Sequence, residues 1–146
     1  MRAPEAGDLA PDFTLESDAD GSITLSELRG SPVVLYFYPR DDTPGCTVQA
    51  CDLRDALPRF DGVDAVVLGV SMDDVASHAR FREKFDLNFP LLADLGGEVC
   101  DAYAVRPKGR IERSTFLIDD EGVIRQAWRG VSAKGHAGML AAALGA

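Results

Sequence analysis

The sequence predicts an α/β fold in which a central mixed sheet is flanked by helices. The continuously apolar segment Val33–Tyr38 and the largely apolar segment Ala65–Ser71 have the length and composition of buried strands. A helical pattern follows each segment, so we expect parallel strands joined by right-handed crossovers. Ser114–Asp119 and Val123–Trp128, joined by the turn sequence Asp120-Glu-Gly122, predict an antiparallel hairpin at one side of the sheet.

Shorter elements are predicted toward the two ends of the chain. Asp12–Leu15 and Ser22–Leu25 surround an Asp20-Gly21 pair, which is typical of an N-terminal β-hairpin. A short helix is expected over Gly97–Tyr103 and a final helix over Ala137–Leu144. The order β-β, then β-α-β-α, then a β-hairpin and a last α fits a thioredoxin-like α/β sandwich.

The composition excludes several classes of function. The 146 residues suffice for one domain, residues 1–146, that buries about 70% of the surface of the unfolded chain. A net charge of −9 makes nucleic acid and anionic membranes unfavourable partners. No apolar segment follows Met1, so we expect no secretion signal, and no apolar stretch reaches the ~18–20 residues that a membrane span needs. Three cysteines without a secretion signal predict a reducing, cytoplasmic environment.

The segment Pro39–Cys51, which reads P-R-D-D-T-P-G-C-T-V-Q-A-C, carries the chemistry that the chain offers. It connects an apolar strand to a helix that opens at Cys46, with Pro44 near its first position, and that should end or kink near Pro58. A cysteine at a helix N-terminus is surrounded by unpaired N–H groups and lies at the positive end of the macrodipole. Both features favour the thiolate over the thiol. The carboxyl end of a strand is also where open α/β sheets usually place their sites.

The two cysteines of this segment are predicted to lie on different faces of the helix. One stripe, expected to face the sheet, contains Cys46, Ala50, Leu53 and Leu57. Cys51 lies about 140° from Cys46, on the wetter side. In a regular helix the two Cα atoms are roughly 8–9 Å apart, beyond the ~7 Å limit for a disulfide. A bond between them therefore requires the first turns of the helix to unwind.

The other residues with reactive side chains have structural interpretations. Ser71 and Asp74 form an S-x-x-D capping box that is expected to open the second helix. One stripe of that helix contains Val75, His78, Phe81 and Phe85. We expect His78 at the edge of the core with its nitrogens satisfied locally, Cys100 as a small buried hydrophobe, and His136 exposed. The C-x4-C spacing and two distant histidines do not predict a metal site.

Elimination leaves redox chemistry as the function of Cys46. No catalytic His–Asn pair supports a papain-type protease. The Thr43 hydroxyl could reach the sulfur or an oxygen bound beside it, and Pro39 could shield a thiolate from water. Taken singly, Thr43 is better explained as a helix cap and Pro39 as the residue that ends the strand. Arg113, taken alone, is explained as a surface arginine at a strand edge.

The combination P-x3-T-x2-C at the end of an apolar strand, continued as T-P-G-C-T-V-Q-A-C, resembles the peroxiredoxins. It is most similar to their bacterioferritin comigratory protein group, also called the Q-type. The resemblance covers nearly the whole chain and includes A-P-D-F-T-L, the L-R-G at Arg29, F-P-L-L at Phe89–Leu92 and R-S-T-F-L-I-D at Arg113–Asp119.

The resemblance implies a role for each residue of the site. Cys46 would be the peroxidatic cysteine and Cys51 its resolving partner, with Thr43, Pro39 and Arg113 at the remaining active-site positions. Substrate contacts would come from Thr43, Gly45, Cys46 and Arg113. The implied reaction reduces hydrogen peroxide and organic hydroperoxides through a sulfenic acid and an intramolecular Cys46–Cys51 disulfide. A thioredoxin-like dithiol would then reduce the disulfide. No metal, haem or flavin is implied, and the protein would be a monomer or a weak homodimer.

Two alternative functions use the same fold. The cysteine pair could serve thiol–disulfide exchange or a redox sensor, although C-x4-C disfavours rapid exchange. A structural thioredoxin-like module without activity is a third interpretation.

Two departures from the family pattern are visible. The basic connection 104–112 is short for the group, which leaves the preferred peroxide open. Gln49 stands where relatives often carry Glu.

Overall fold

The computed structural model describes residues 3–18, 21–56 and 65–130, and the strands within these ranges form one mixed sheet. The strands are β1 (Thr14–Ser17), β2 (Ser22–Thr24), β3 (Val33–Phe37), β4 (Val66–Ser71), β5 (Leu91–Ala93), β6 (Ser114–Ile118) and β7 (Ile124–Arg129). The helices are α1 (Pro44–Ala56), α2 (Val75–Phe85) and α3 (Glu98–Ala102), and Leu25–Leu28 forms a 3-10 turn. No helix in these ranges is long and apolar enough to cross a membrane.

The sheet has the order β2-β1-β5-β4-β3-β6-β7, with β3 near its middle. β3 runs parallel to β4 and antiparallel to β6. β1 pairs antiparallel with β2 and β5, and β6 pairs antiparallel with β7. The predicted parallel pair and both predicted hairpins are therefore confirmed, and they share one sheet.

β3 separates two apolar clusters because its side chains alternate between the two faces of the sheet. Val33, Leu35 and Phe37 belong to one cluster. Val34 and Tyr36 belong to the other, together with Tyr38 and with Cys46, Ala50 and Leu53 of α1. The predicted buried stripe of α1 is thus confirmed over the described residues. It places Cys46 against the face of the sheet that α1 covers.

β5 was not predicted from the sequence as a strand. It has only three residues, all buried, and follows Pro90 directly. Such a short segment has too few residues to show a periodicity of its own. Its pairing partners define it, because it lies between β1, to which it is antiparallel, and β4, to which it is parallel.

The starts of α1 and of the N-terminal hairpin differ from the predictions. α1 begins at Pro44 rather than at Cys46. The N-terminal hairpin begins at Thr14 rather than at Asp12, because the Asp12 carboxylate instead accepts a 2.8 Å hydrogen bond from the Ser26 N–H. The predictions that concern Asp20, Leu57, Pro58, His136 and Ala137–Leu144 lie outside the described residues.

The predicted capping box at the start of α2 is wrong. Ser71 is the last residue of β4, and its hydroxyl donates to Asp73 Oδ2 at 2.7 Å. Asp74 is the N-cap, and its carboxylate accepts a 2.8 Å hydrogen bond from the Ser77 N–H. The physical reason is that a side-chain turn between Ser71 and Asp73 separates the strand from the helix, so the cap falls three residues later.

Candidate active site

Cys46 lies in the first turn of α1, which a short loop connects to the carboxyl end of β3. The Tyr38 N–H still bonds to Val70 O at 3.0 Å, and the chain then leaves the sheet at Pro39. We call Pro39–Thr43 the active-site loop. The Thr43 carbonyl accepts the first helical hydrogen bond, from the Thr47 N–H at 2.8 Å. The amides of Gly45 and Cys46 therefore lie in the first turn, where N–H groups have no partner within the helix.

Arg113 reaches this helix start from β6. The register pairs Phe37 with Ser114, so the residue before β6 lies where β3 ends and the active-site loop begins. Cys46 is 1% exposed, and Arg113 Nη2 lies 3.4 Å from its sulfur. This distance is within hydrogen-bonding range for a sulfur acceptor. The guanidinium is permanently charged, so it stabilises a thiolate more than a thiol.

Gly45 allows the guanidinium to lie this close to the helix. A Cβ atom at this position would lie 3.0 Å from Arg113 Nη2, tighter than ordinary van der Waals contact. A larger side chain would therefore displace the guanidinium away from the sulfur. The glycine of the T-P-G-C sequence is explained by this close approach.

Gln49 is a member of the site that the sequence did not reveal. It is 1% exposed, and its Oε1 accepts a 2.6 Å hydrogen bond from Arg113 Nη1. Its Nε2 has no partner among the described residues. Gln49 is three positions after Cys46 and so lies on the same face of α1. Helical spacing from the reactive cysteine was the signal that could have identified it.

Thr43 and Pro39 occupy the active-site loop, but no described contact joins either one to the sulfur. The Thr43 hydroxyl donates to Arg40 O at 2.9 Å. Pro39 is exposed. The roles assigned to these two residues by resemblance remain predictions.

The two cysteines of α1 are free thiols in different environments. Cys46 is buried and Cys51 is half-buried, as the helical spacing predicted. The pairing of Cys46 with Cys51 remains a prediction.

Cys100 is fully buried in α3 and is not part of this site. Burial, followed by the hydrogen bond and charge of Asp94, raises the pKa of its thiol far above the usual range. It therefore stays protonated and unreactive, which agrees with the predicted structural role.

His78 is fully buried rather than at the edge of the core as predicted, but both of its ring nitrogens have partners, as predicted. Nδ1 lies 2.7 Å from Asp41 Oδ2, and Nε2 lies 2.8 Å from Leu92 O. Potential ligand atoms of Asp41, Asp73 and His78 lie within 4.8 Å of one another. The His78 and Asp41 atoms bond directly to each other, and Asp73 Oδ2 accepts from the Asp41 N–H at 2.8 Å. The group is therefore a hydrogen-bonded cluster rather than a cavity for an ion.

The basic connection before Arg113 is partly neutralised. Arg106 makes two hydrogen bonds to the Asp101 carboxylate, at 2.8 and 2.9 Å, and one to Gly96 O at 3.3 Å. Lys108 and Arg110 are exposed. The Glu112 N–H bonds to Val105 O at 2.7 Å, which closes the segment on itself just before Arg113.

A buried thiol at a helix N-terminus, beside a guanidinium on a thioredoxin-like sheet, defines the class of thiol-dependent peroxidases. Residues 6–127 match the AhpC/TSA family, and the chain belongs to it, as a peroxiredoxin of the Bcp or Q type. The family that the motifs indicated is thereby confirmed.

Similar proteins extend over nearly all of the chain. The peroxiredoxin Bcp of Bacillus subtilis is 45% identical over 140 residues, which cover 90% of this chain and 89% of that protein. A Xanthomonas campestris bacterioferritin comigratory protein, studied for its alkyl peroxide reduction activity, is 40% identical with a TM-score of 0.88 and covers 97% of this chain and 96% of its own. A mutant of PrxQ from Xylella fastidiosa is 36% identical with a TM-score of 0.91, covering 99% and 98%. The predicted thioredoxin-like fold is confirmed by these structures.

Proposed function

We propose that Cys46 is the peroxidatic residue and that its thiolate reduces hydroperoxides. The thiolate attacks the terminal peroxide oxygen, so that an S–O bond forms as the O–O bond breaks. The leaving oxygen takes up a proton and departs as water or an alcohol, and Cys46 becomes a sulfenic acid. The observation that carries this proposal is the 3.4 Å approach of Arg113 Nη2 to a sulfur at a helix N-terminus.

Ionisation of the thiol alone cannot supply the rate of such an enzyme. A thiol with an ordinary pKa of ~8.5 is about 3% ionised at pH 7, so full ionisation gains about thirtyfold at most. A thiolate of lower basicity is also a weaker nucleophile. The larger contribution must come from donors directed at the peroxide oxygens. We assign this role to the Arg113 guanidinium and the amides of Gly45 and Cys46, with the Thr43 hydroxyl beside them.

The burial of Cys46 supports a resolving role for Cys51. A protein-sized reductant cannot reach a residue that is only 1% exposed. Cys51 is half-buried and lies on the same helix. In our proposal its thiol attacks the Cys46 sulfenic acid, releases water and forms the Cys46–Cys51 disulfide. The spacing requires the first turns of α1 to unwind during this step.

We assign the remaining electrons to a dithiol reductant of the thioredoxin type. Two thiols of the reductant are oxidised to a disulfide as the Cys46–Cys51 bond is reduced, which returns the enzyme to the state described here. The setting that fits this cycle is the cytoplasm, where such dithiols are kept reduced. We propose a monomer or a weak homodimer as the working form.

A coupled assay with hydrogen peroxide and an organic hydroperoxide, driven by thioredoxin or by glutaredoxin, tests the proposal. Cys46→Ser should abolish peroxide consumption. Cys51→Ser should still form the sulfenic acid, which a dimedone adduct detects by mass, but should lose turnover with thioredoxin. Normal turnover by the Cys51→Ser variant would remove the resolving role. Oxidation by a protein disulfide faster than by peroxide would instead favour thiol–disulfide exchange, which the burial of Cys46 disfavours.

A further inference from the structure

A cluster of polar side chains, of which Tyr38, Asp41 and His78 are buried, fixes the middle of the active-site loop. Asp41 Oδ1 accepts from the Tyr38 hydroxyl at 2.5 Å, and Oδ2 accepts from the Ser77 hydroxyl at 2.8 Å. His78 Nδ1 also lies 2.7 Å from Oδ2, and the Asp41 N–H donates to Asp73 Oδ2 at 2.8 Å. We call these five residues the Asp41 cluster. Through it, the loop that leads to Cys46 is held by α2 and by the turn before α2.

The hydrogen bonds of this cluster determine how many protons it holds. The Leu92 carbonyl can only accept, so His78 Nε2 must carry a hydrogen. Nδ1 faces a carboxylate oxygen that already accepts from a hydroxyl, and at 2.7 Å another proton must lie between them. His78 and Asp41 together therefore hold one proton more than a neutral imidazole beside a carboxylate. As a unit the pair has no net charge, which suits its burial.

The loop transmits this anchoring to the start of α1. Thr43 bonds to Arg40 O through its hydroxyl and to the Thr47 N–H through its carbonyl, so the loop and the first turn of the helix form one connected unit. Asp42 has a left-handed backbone, with φ of 57°, at the turn between the fixed Asp41 and the helix. The direction in which the Cys46 amide points thus depends on where Asp41 is held.

We propose that His78 and Asp41 are positioning residues for the peroxidatic site, acting through the proton they share to fix the active-site loop and the first turn of α1. The inference rests on the proposed role of Cys46. Loss of the proton leaves a buried carboxylate with one donor fewer and a nitrogen lone pair facing it. The loop then loosens, the donors to the peroxide lose their alignment, and attack by Cys46 slows.

The groups around His78 favour the protonated pair. Burial lowers the pKa of His78, but the hydrogen bond and charge of Asp41, with the Leu92 carbonyl and the charge of Asp73, outweigh it and raise the pKa. Burial raises the pKa of Tyr38 well above its usual range, so the phenol stays neutral. From β5, the Leu92 carbonyl accepts a hydrogen bond from the ring. The adjoining surface hollow is lined by Asp41 and Asp73 of the cluster and by the charged residues Arg40, Asp42, Arg80 and Lys84.

The test is the pH profile of the second-order rate constant for attack on hydrogen peroxide. Stopped-flow fluorescence of Trp128, which packs against the cluster that contains Cys46, follows this step. In the unmodified protein the rate constant should decline about five- to tenfold as the pH rises and the pair loses its proton. His78→Asn places an amide donor near the position of Nδ1, and this amide cannot ionise. It should keep most of the rate at lower pH and lack the decline. His78→Gln retains a donor for Leu92 but not for Asp41, and should be slow throughout.

A spectroscopic measurement on the unmodified protein keeps the proposal testable if a variant fails to fold. Nitrogen NMR of the His78 ring reports its protonation directly. The decline in rate should have the same midpoint as the titration of His78. Titration of His78 with no change in rate would overturn the proposal, and so would a decline that persists in His78→Asn.

Arg82→Gln is the matched control, because it removes a 3.4 Å ion pair between α2 and Asp18 that does not touch the loop. It should lower the melting temperature and leave the pH profile unchanged. Peroxide consumption by Cys46→Ser would refute the proposed function separately.

Discussion

Replacing Gln49 by leucine tests whether its amide orients the Arg113 guanidinium or merely fills space. The side chain is almost completely buried, and its Oε1 accepts the 2.6 Å hydrogen bond from Arg113 Nη1. Its Nε2 has no partner among the described residues. Leucine has a similar volume and carries neither group, so the substitution removes one favourable and one unfavourable feature together.

The two contributions to the free energy of unfolding have opposite signs. Loss of a hydrogen bond to a charged donor costs about 1.5–3 kcal/mol, and removal of a buried nitrogen without a partner regains about 1–3 kcal/mol. The net change in stability should therefore lie within about 2 kcal/mol of zero. Attack on peroxide has no such compensation, because Arg113 keeps only its 3.4 Å contact with the sulfur. We expect the second-order rate constant to fall about 10- to 100-fold.

Stopped-flow kinetics with hydrogen peroxide and thermal denaturation together decide the outcome. Gln49→Glu is the matched control, since it keeps an acceptor for Arg113 and should preserve both orientation and most of the rate. Combining Gln49→Leu with Arg113→Met should cost no more rate than Arg113→Met alone, because the two residues act as one unit. A leucine variant that melts far below the unmodified protein but attacks peroxide at the normal rate would refute this reasoning.

Three further predictions concern the substitution of Arg113, the substitution of Gly45 and the pH dependence of stability. Arg113→Met should slow peroxide attack by at least about 100-fold with a much smaller effect on melting temperature; the opposite pattern in the same two measurements would identify the arginine as structural. Gly45→Ala should stabilise the helix by up to about 1 kcal/mol but slow attack about tenfold, because the new Cβ displaces the guanidinium; denaturant titration beside stopped-flow kinetics separates the two effects. The raised pKa of His78 means that its stabilisation is fully present below about pH 6.5 and is lost as pH rises through the folded-state pKa. Denaturant titrations between about pH 6 and about pH 9 should show this loss in the unmodified protein and not in His78→Asn.

Sequence reasoning predicted those parts of the fold whose own residues show either an apolar run or a helical periodicity. β3 is continuously apolar and buried, and β4 is largely apolar and buried except at Val66. The face of α1 that contains Cys46 packs against the sheet as its spacing indicated. β5 lacked such a signal because its neighbours, rather than its own three residues, make it a strand. The capping box failed because Ser71 bonds to Asp73 and remains in β4.

The residues of the site differ in the same way, since some are identified by their local sequence and others only by contacts between distant segments. Cys46 was identified because the local pattern of strand, loop and helix carries its own physical reason. Arg113 needed the family pattern, since its proximity to Cys46 arises from the pairing of β3 with β6. The bond between Asp41 and His78 joins residues 37 positions apart, and the sequence separately predicted only that His78 would have local partners. Contacts of this kind depend on how the whole chain packs.

Arg113 directly precedes β6, whose five residues are all buried and which is paired on both sides, with β3 and β7. Cys46 instead lies in the outermost turn of a helix, the part that must come apart in every proposed cycle. The two halves of the site therefore differ in rigidity, with the sheet serving as a stationary template. After each reduction the first turn of α1 would refold against a guanidinium whose position has not changed. The geometry needed for the next peroxide is therefore restored when that turn forms.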